Sequence, residues 1–269
     1  MKLFSNKNLL ILFILISGYA YMISCTRNDS LIVPLQLAKP FVATRGTTVL
    51  LPGNMTATNP NEWKLDKVHS STLWSTHYVG AAGLLTGRFN QFGMHDVTAA
   101  EMITYATTGQ PLKDTSWAFY ENEPAKTYFN GYVQINTSNT GEPGRDAGCN
   151  VGGMNTVAIR SGVQNLVDTN IAKIKTTKVE FDPSSNGYIV TLDLTWHGKL
   201  TPSLAPITKS IIGKLSYVTR KTVTPATGTP YDVFGLQLKF SFNCRDFGVS
   251  SASIGDNIDI ECNMNFNNK

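Results

Sequence analysis

Residues 187–196 read GYIVTLDLTW, a stretch in which large apolar side chains occupy every second position. A period of two residues is typical of a strand with one buried face. Three further runs show the same alternation, at 129–135, 236–244 and 258–266. So many strands in one chain would leave exposed edges unless the sheet closes. The pattern therefore predicts a mainly β domain whose sheet closes into a barrel.

Two stretches do not alternate in this way. Residues 99–107 (AAEMITYAT) are compatible with a helix or an irregular insert. Residues 151–168 have apolar spacing that predicts a short helix across one end of the barrel.

Composition narrows the class of function. Only 16% of the 269 residues are charged, and the formal net charge is +4. Two of the lysines, Lys2 and Lys7, lie in a segment that we expect to be removed, so the mature chain is closer to neutral. A nucleic-acid-binding protein needs a basic surface, and this sequence provides none, so we expect no nucleic acid partner.

The first 24 residues have the layout of an export signal. The two lysines precede a continuous apolar run at 9–16 (LLILFILI), and Ser24 comes directly before Cys25. A small residue before a cysteine at this distance resembles the bacterial lipobox, which implies lipidation of Cys25 and a membrane anchor. Thr26, rather than Asp, after the cysteine favours the outer membrane. An uncleaved signal anchor or plain secretion are the alternatives, although the apolar run is shorter than the ~18 residues of a membrane span.

The sequence after Cys25 divides into a tether and a domain. Residues 25–60 contain four prolines and little periodicity, as expected for a tether, and the barrel domain occupies 61–269. An extra strand at the domain edge, from residues 31–37 or 47–51, is an alternative for part of the tether.

Several motifs in the domain resemble the YceI-like family of polyisoprenoid-binding, lipocalin-like periplasmic proteins. The matches lie at 63–93, 136–146, 187–198 and 244–249, in the order in which the family has them. The residues that match the family motifs are Asp66, His69, Ser70, His77, Gly87, Phe89, Ser138, Arg145, Asp146, Arg245, Phe247 and Gly248. Residues 94–128 form an insert longer than the usual connection of the family.

The resemblance implies an extended antiparallel, lipocalin-like β-barrel. It also implies an envelope protein that binds or carries an amphiphilic isoprenoid, such as a quinone or a prenyl phosphate, without catalysis or a cofactor. The polar candidates for contact with a head group are His69, His77, Arg145, Asp146, His197 and Arg245. An isoprenoid tail needs an apolar wall, for which the alternating runs supply Leu192, Leu194, Trp196, Phe240, Phe242, Ile258 and Ile260. Ordinary core packing is the alternative role for each of these apolar residues.

Structural roles are also open for the polar candidates. The histidines are expected to hydrogen-bond to backbone or to carboxylates such as Asp66, and no ligand spacing indicates a metal site. Each of the two arginines is followed by an aspartate, which favours a structural ion pair. Cys244 and Cys262 both occupy inward-facing positions of their alternating runs. They therefore either form a cross-strand disulfide or are two small core residues.

Two other classes of function compete with lipid binding. The first is a non-enzymatic interaction lipoprotein with a filled core, which would use Trp117, Phe119 and Tyr120 of the insert as a contact surface. The second is an envelope enzyme, but the sequence lacks the nucleophile-elbow, metalloprotease and phosphate-loop motifs. We therefore expect no catalytic residue.

Overall fold

The structure is a computed structural model that describes residues 49–53, 62–78, 83–98, 101, 113–142, 150–151, 154–155, 171–196 and 205–269. This part of the chain is mainly β, as the alternating runs predict. Its strands, in chain order, are β1 (Val49–Pro52), β2 (Glu62–Leu65), β3 (Ser71–Tyr78), β4 (Gly83–Phe89), β5 (Phe92–Gly93), β6 (Trp117–Tyr120), β7 (Tyr128–Gln134), β8 (Ser138–Asn139), β9 (Asn150–Val151), β10 (Met154–Asn155), β11 (Ile171–Asp182), β12 (Gly187–Trp196), β13 (Ile207–Val223), β14 (Tyr231–Asn243) and β15 (Ile254–Asn267). Single 3₁₀ turns lie at Lys67–His69, Pro124–Lys126, Ile135–Thr137 and Cys244–Phe247.

Strand pairing closes into a ring. Starting at β14, the ring runs through β13, β12, β11, β7, β6, β1, β2 and β15, and β15 pairs with β14 again. Strands β3, β4 and β8 extend the sheet from β15, and β5 pairs with β7. The pairing of β1 with β2 is parallel, whereas the other described pairings are antiparallel. The closed, barrel-like arrangement confirms the predicted fold class and differs from the prediction in this one parallel pair.

Strand β12 shows why the alternating runs identify the fold. Its side chains at positions 188, 190, 192, 194 and 196 are all buried, and those between them are more exposed. Its neighbours β11 and β13 pair with it along nearly its whole length. One face of the strand therefore points into the ring, which is the condition under which a period of two appears in a sequence.

The turn between β11 and β12 is fixed by its own side chains. The Asp182 carboxylate accepts hydrogen bonds from the Ser184 backbone N–H (3.0 Å) and from the hydroxyls of Ser184 (2.7 Å) and Ser185 (2.6 Å). Asn186 adopts a φ of 50°, in the left-handed region that Asn tolerates better than most residues. These contacts set the register in which the two long strands pair.

The apolar core consists of two clusters. The first lies where β1, β2 and β6 close the ring, around Trp117, Phe234 and Phe266. The second lies towards the other end of β14 and β15, around Trp196 and Phe247. Partly buried side chains of the central strands pack against both clusters.

Two short strands lie in the segments predicted to be the tether and the insert. Strand β1 lies inside the predicted tether, where residues 47–51 were the alternative for an extra strand, and its Leu50 is fully buried. The folded part of the chain therefore reaches back at least to Val49. Strand β6 lies in the insert, and its Trp117 and Phe119 are each only 1% exposed. Those two aromatics belong to the core, which contradicts their predicted role as a contact surface.

The predicted helical segments are described only in small part. Residues Asn150–Val151 and Met154–Asn155 pair as an antiparallel hairpin, so the predicted helix at 151–168 begins with extended backbone. Its remaining residues, and all of 99–107 except Glu101, lie outside the described residues. Within the described ranges, no helix is both long and apolar enough to cross a bilayer.

Close packing at Gly87 leads to a first prediction. Gly87 pairs with Trp74, and a Cβ at this position would lie 2.7 Å from atoms of the indole ring. That ring cannot easily move, because it is 2% exposed and its Nε1–H donates to Ser138 Oγ (2.7 Å). We expect Gly87→Ala to lower the free energy of unfolding by about 1–3 kcal/mol, as overpacking does. Urea denaturation followed by tryptophan fluorescence measures this change.

The matched control is Thr86→Ala on the same strand, where the side chain is exposed. We expect this variant to stay within about 0.5 kcal/mol of the original chain. Without a clash, Gly87→Ala would be neutral or stabilising, because alanine reduces the conformational entropy of the unfolded chain. A variant that is at least as stable as the control would therefore contradict the packing argument.

Candidate functional site

An apolar cavity of about 80 Å³ lies inside the ring, between the two core clusters. Its wall is formed by residues of β3, β4, β5, β7, β11, β12, β13, β14 and β15, so strands of the ring surround it. None of the lining residues within the described part of the chain is charged. This part of the wall can therefore accept a neutral apolar group, whereas it offers an ionised group no compensation for lost hydration.

The predicted wall residues lie together, with one exception. Six of the seven line the cavity: Leu194, Trp196, Phe240, Phe242, Ile258 and Ile260. Leu192 has the same parity on β12 and is fully buried, but it packs into the first core cluster and does not line the cavity. Parity identifies the inward face of a strand; it does not locate the empty space along that face.

Sequence reasoning left out a large part of the wall. Some of the missing residues were within reach, because Leu236, Leu238, Cys262 and Met264 continue the alternating runs of β14 and β15. Others had no signal of this kind, since Phe92 and Met94 lie in or beside a strand of two residues.

Two side chains in the wall, those of Thr72 and Cys262, form a hydrogen bond with each other. Thr72 and Cys262 are directly opposite on β3 and β15, and both line the cavity. Burial raises the pKa of the Cys262 thiol to about 12, although its hydrogen bond with Thr72 acts in the opposite direction. The thiol therefore stays protonated and weakly nucleophilic at neutral pH.

Cys262 and Cys244 are both free and buried, so the alternative of a disulfide between them is wrong. The strand register gives the reason. Cys262 faces Leu238 on β14, whereas Cys244 comes after the end of that strand, in the 3₁₀ turn Cys244–Phe247. The two residues belong to different core clusters. The other alternative, two small core residues, is the one that holds.

His69 lies at one end of β3 and has a structural partner. Its Nδ1 is 2.8 Å from Asp66 Oδ2, and its backbone N–H donates to the same carboxylate. Partial burial tends to raise the pKa of Asp66, but these hydrogen bonds and one from Asn267 bring it below its ordinary value. This confirms the predicted His69–Asp66 hydrogen bond. The His69 side chain is exposed and is not part of the cavity wall.

Arg245 lies at the other end of the ring and holds a loop together. Its Nε pairs with Asp256 Oδ1 (2.9 Å), Nη1 donates to the carbonyls of Val249 (2.8 Å) and Ser251 (3.0 Å), and Nη2 donates to that of Ile254 (2.7 Å). A structural ion pair was one of the two roles considered for Arg245, and the structure shows it, although the partner is Asp256 and not the adjacent Asp246. These four hydrogen bonds commit most of the guanidinium to the protein itself, which leaves little of it for a ligand head group.

The remaining polar candidates do not gather at the cavity. His77 is exposed near the end of β3, roughly 20 Å along the strand from Ser71 at about 3.3 Å per residue, whereas His69 lies before the start of this strand. It does not line the cavity. Cys25, Arg145, Asp146 and His197 lie outside the described residues. In the part of the chain that is described, no group of three or more His, Cys, Asp or Glu side chains is placed to hold a metal ion.

A buried ionic cluster, which the sequence did not reveal, lies in the first core region. Glu121 is 1% exposed, and its carboxylate accepts hydrogen bonds from Arg220 Nε (3.1 Å), Arg220 Nη2 (2.8 Å) and the Tyr217 hydroxyl. Burial and this carboxylate together raise the pKa of Tyr217 well above its usual range, and that of Tyr188 to about 12. None of these side chains lines the cavity, so the cluster is a structural link between the β6–β7 connection and β13.

Comparison with known proteins gives matches between structures, but none between sequences. No family model and no curated protein matches the sequence. Burkholderia cenocepacia BcnA is 12% identical, with a TM-score of 0.42 over 75% of this chain and 99% of its own. The YceI protein of Campylobacter jejuni is 15% identical, with a TM-score of 0.41 over 69% of this chain and 85% of its own. A polyisoprenoid binding domain from Saccharophagus degradans, implicated in plant cell wall breakdown, is 12% identical, with a TM-score of 0.38 over 76% of this chain and 97% of its own. This chain is thus similar, at low identity, to solved structures of a YceI protein and of a polyisoprenoid binding domain.

Proposed function

We propose that this chain binds the apolar tail of a lipid inside the ring of strands. The observation that supports the proposal is the cavity, which strands of the ring surround and whose described lining residues are all uncharged. Each CH₂ group of a tail that leaves water for such a site contributes about 0.8 kcal/mol. A tail of a few isoprene units would therefore bind through its hydrocarbon alone.

The volume of the cavity sets a condition on this binding. About 80 Å³ is well below the roughly 300–1,000 Å³ of typical ligand sites. A lipid tail therefore enters only if the wall moves outwards. Met94 and Met264 are suited to such a movement because methionine is flexible and repacks readily, and Met264 and Phe242 are only partly buried.

The finer proposal concerns the kind of lipid and the place of action. The sequence motifs that resemble the YceI-like family support an isoprenoid, with a quinone or a prenyl phosphate as the head group. The export signal and Cys25 support a lipoprotein of the bacterial cell envelope, in the outer membrane and facing the periplasm or the surface. The role would be to carry or shield the lipid, with no catalytic step.

The experiment is native mass spectrometry of the full chain, purified from bacterial cells in a mild detergent, followed by solvent extraction. We expect a copurifying lipid in near-stoichiometric amount, with isoprene-unit fragments. The matched variant is Ala172→Leu, because Ala172 lines the cavity and the larger side chain fills it. This variant should lose most of the lipid and keep the fold.

The competing function is an interaction lipoprotein with a filled core, and the small volume of the cavity favours it. A chain that carries no lipid, and whose mass is unchanged after incubation with quinones and prenyl phosphates, would overturn lipid binding in favour of this alternative. Equal amounts of lipid on the original chain and on Ala172→Leu would show that the lipid binds outside the cavity.

A further inference from the structure

A lipid tail enters the cavity only if its wall moves, and one part of the wall is shorter than the rest. Residues 92–94, called the β5 segment below, consist of strand β5 and Met94. All three residues line the cavity. Strand β5 has 2 residues, whereas the other strands of the wall have between 7 and 17. The β5 segment is therefore the part of the wall with the least strand structure to hold it.

The β5 segment is paired along one edge. Phe92 pairs with Val133 and Gly93 pairs with Tyr132, both on β7. Among the described strands, β7 is its one partner, and β5 lies off the ring itself. Segments with few backbone hydrogen bonds open at a lower free energy than long strands that are paired on both edges. We therefore expect this part of the wall to open before the strands of the ring separate.

One end of the β5 segment is fixed to the body of the fold by backbone contacts. The Gln91 backbone N–H donates to Thr137 Oγ1 (3.0 Å), and the Gln91 carbonyl accepts a hydrogen bond from the Gln134 backbone N–H (2.9 Å). Thr137 and Gln134 are both buried. Gln91 is thus a fixed point about which the segment can turn.

The other end is held by the carboxylate of Asp114. Its Oδ1 accepts a hydrogen bond from the Met94 backbone N–H (2.8 Å), and its Oδ2 pairs with Lys67 Nζ (3.0 Å). The Ser116 backbone N–H donates to the Met94 carbonyl (3.0 Å) from the same connection. The carboxylate also packs on the segment, because a Cβ at Gly93 would collide with Asp114 Oδ1. Asp114 therefore joins the β5 segment to the 3₁₀ turn that contains Lys67.

We propose that the β5 segment is the part of the wall that moves to admit a lipid tail, and that the Asp114 carboxylate holds it closed. This proposal rests on the proposed function and adds the route by which a tail reaches the cavity. When the contacts of Asp114 break, the segment turns about Gln91 and carries the side chains of Phe92 and Met94 away from the cavity. The opening lies beside Lys67, whose side chain is 37% exposed.

Cys262 can report this movement, because it is buried and lines the same cavity. The full chain, in a mild detergent, is treated with methyl methanethiolsulfonate, and peptide mass spectrometry follows each cysteine over time. The thiolate bonds to the methylthio sulfur, methanesulfinate leaves with the electron pair of the broken S–S bond, and the thiol proton passes to the buffer. Cys244 is the internal reference, since it is fully buried and does not line the cavity.

Asp114→Ala removes the carboxylate that holds Met94. We expect it to speed the reaction of Cys262 about ten-fold, because a hydrogen bond to a charged group is lost, and to change that of Cys244 less than about two-fold. Glu123→Ala is the matched control. It removes a carboxylate that pairs with Lys126 (2.6 Å) before the start of β7, whereas β5 pairs near the end of that strand. This control should change neither rate more than about two-fold.

Hydrogen–deuterium exchange in the original chain keeps the proposal testable if Asp114→Ala does not fold. The amides of the β5 segment should exchange roughly ten-fold faster than those of β12, which is paired on both edges. Exchange that is no faster than in β12 would overturn the proposal. The same holds if Asp114→Ala leaves the reaction of Cys262 unchanged, or speeds both cysteines equally.

Lipid binding is judged separately, from the lipid that copurifies with the chain. If Cys262 responds to Asp114→Ala in a chain that binds no lipid, the proposed function fails and the movement of the β5 segment stands. If lipid is bound but Cys262 does not respond, this inference alone fails.

Discussion

Replacing Glu121 with alanine is expected to lower the free energy of unfolding by about 3–5 kcal/mol, the range for a broken buried ion pair. The Glu121 side chain is fully buried, and that of Arg220 is only 5% exposed. The variant would leave the guanidinium in the protein interior without its carboxylate, and the Tyr217 hydroxyl without its acceptor. Equilibrium denaturation in urea, followed by tryptophan fluorescence, measures the loss.

The chain offers a matched control on its surface. Glu180 pairs with Lys178 at 2.8 Å, but both side chains are more than half exposed. Exposed pairs of this kind contribute at most about 1 kcal/mol, so Glu180→Ala should have a small effect. Replacing both members of the buried pair, in Glu121→Leu with Arg220→Met, should recover part of the loss, because no uncompensated charge remains. If Glu121→Ala cost no more than Glu180→Ala, the carboxylate would not have the structural role described above.

Replacing Phe266 with alanine is expected to cost a similar amount, about 3–5 kcal/mol, for a different reason. Phe266 is fully buried near the end of β15. Its ring stacks on Phe234 with centroids 4.5 Å apart and planes 3° apart, and it lies 4.6 Å from the ring of Trp117. The variant would lose these contacts and leave a cavity where β15 meets β2.

The control for Phe266 is an aromatic residue that is partly in solvent. Tyr128, at the start of β7, is 45% exposed, and we expect Tyr128→Ala to cost much less than Phe266→Ala. The same urea titration serves both variants. If Phe266→Ala lowered the free energy of unfolding by less than about 1.5 kcal/mol, the first core cluster would have relaxed to fill the space of the missing side chain. That result would contradict the rigid packing described here.

The long strands could be predicted because each has one face in the ring. In β12, β14 and β15, inward side chains recur at every second position along most of the strand, and helices and loops rarely produce so long a run. The two strands β1 and β6 could not be predicted with the same certainty. Each has four residues, too few to show a period, and their burial comes from partners far away in the chain.

The site was predictable to a smaller extent. Parity placed Phe240 and Ile258 on the inward face, but the position of empty space depends on how side chains from several strands meet. Glu121 shows the limit most clearly. A glutamate in a connection between strands is usually exposed, and its partner Arg220 is 99 residues away in the sequence. Such a pair is visible only once the strands are assembled.

Closure of the ring by β15 also has a consequence for the order of folding. This strand is the last of the ring in sequence order, yet it pairs with β2, β3 and β14, and Asn267 donates a hydrogen bond to Asp66, 201 residues earlier. The ring therefore cannot close until β15 has been synthesised, and until then β3 and β14 each present an unpaired edge. Contacts between such distant residues slow folding, to the range of milliseconds to seconds in β proteins. Open edges during that interval favour aggregation, and pairing with β15 removes them.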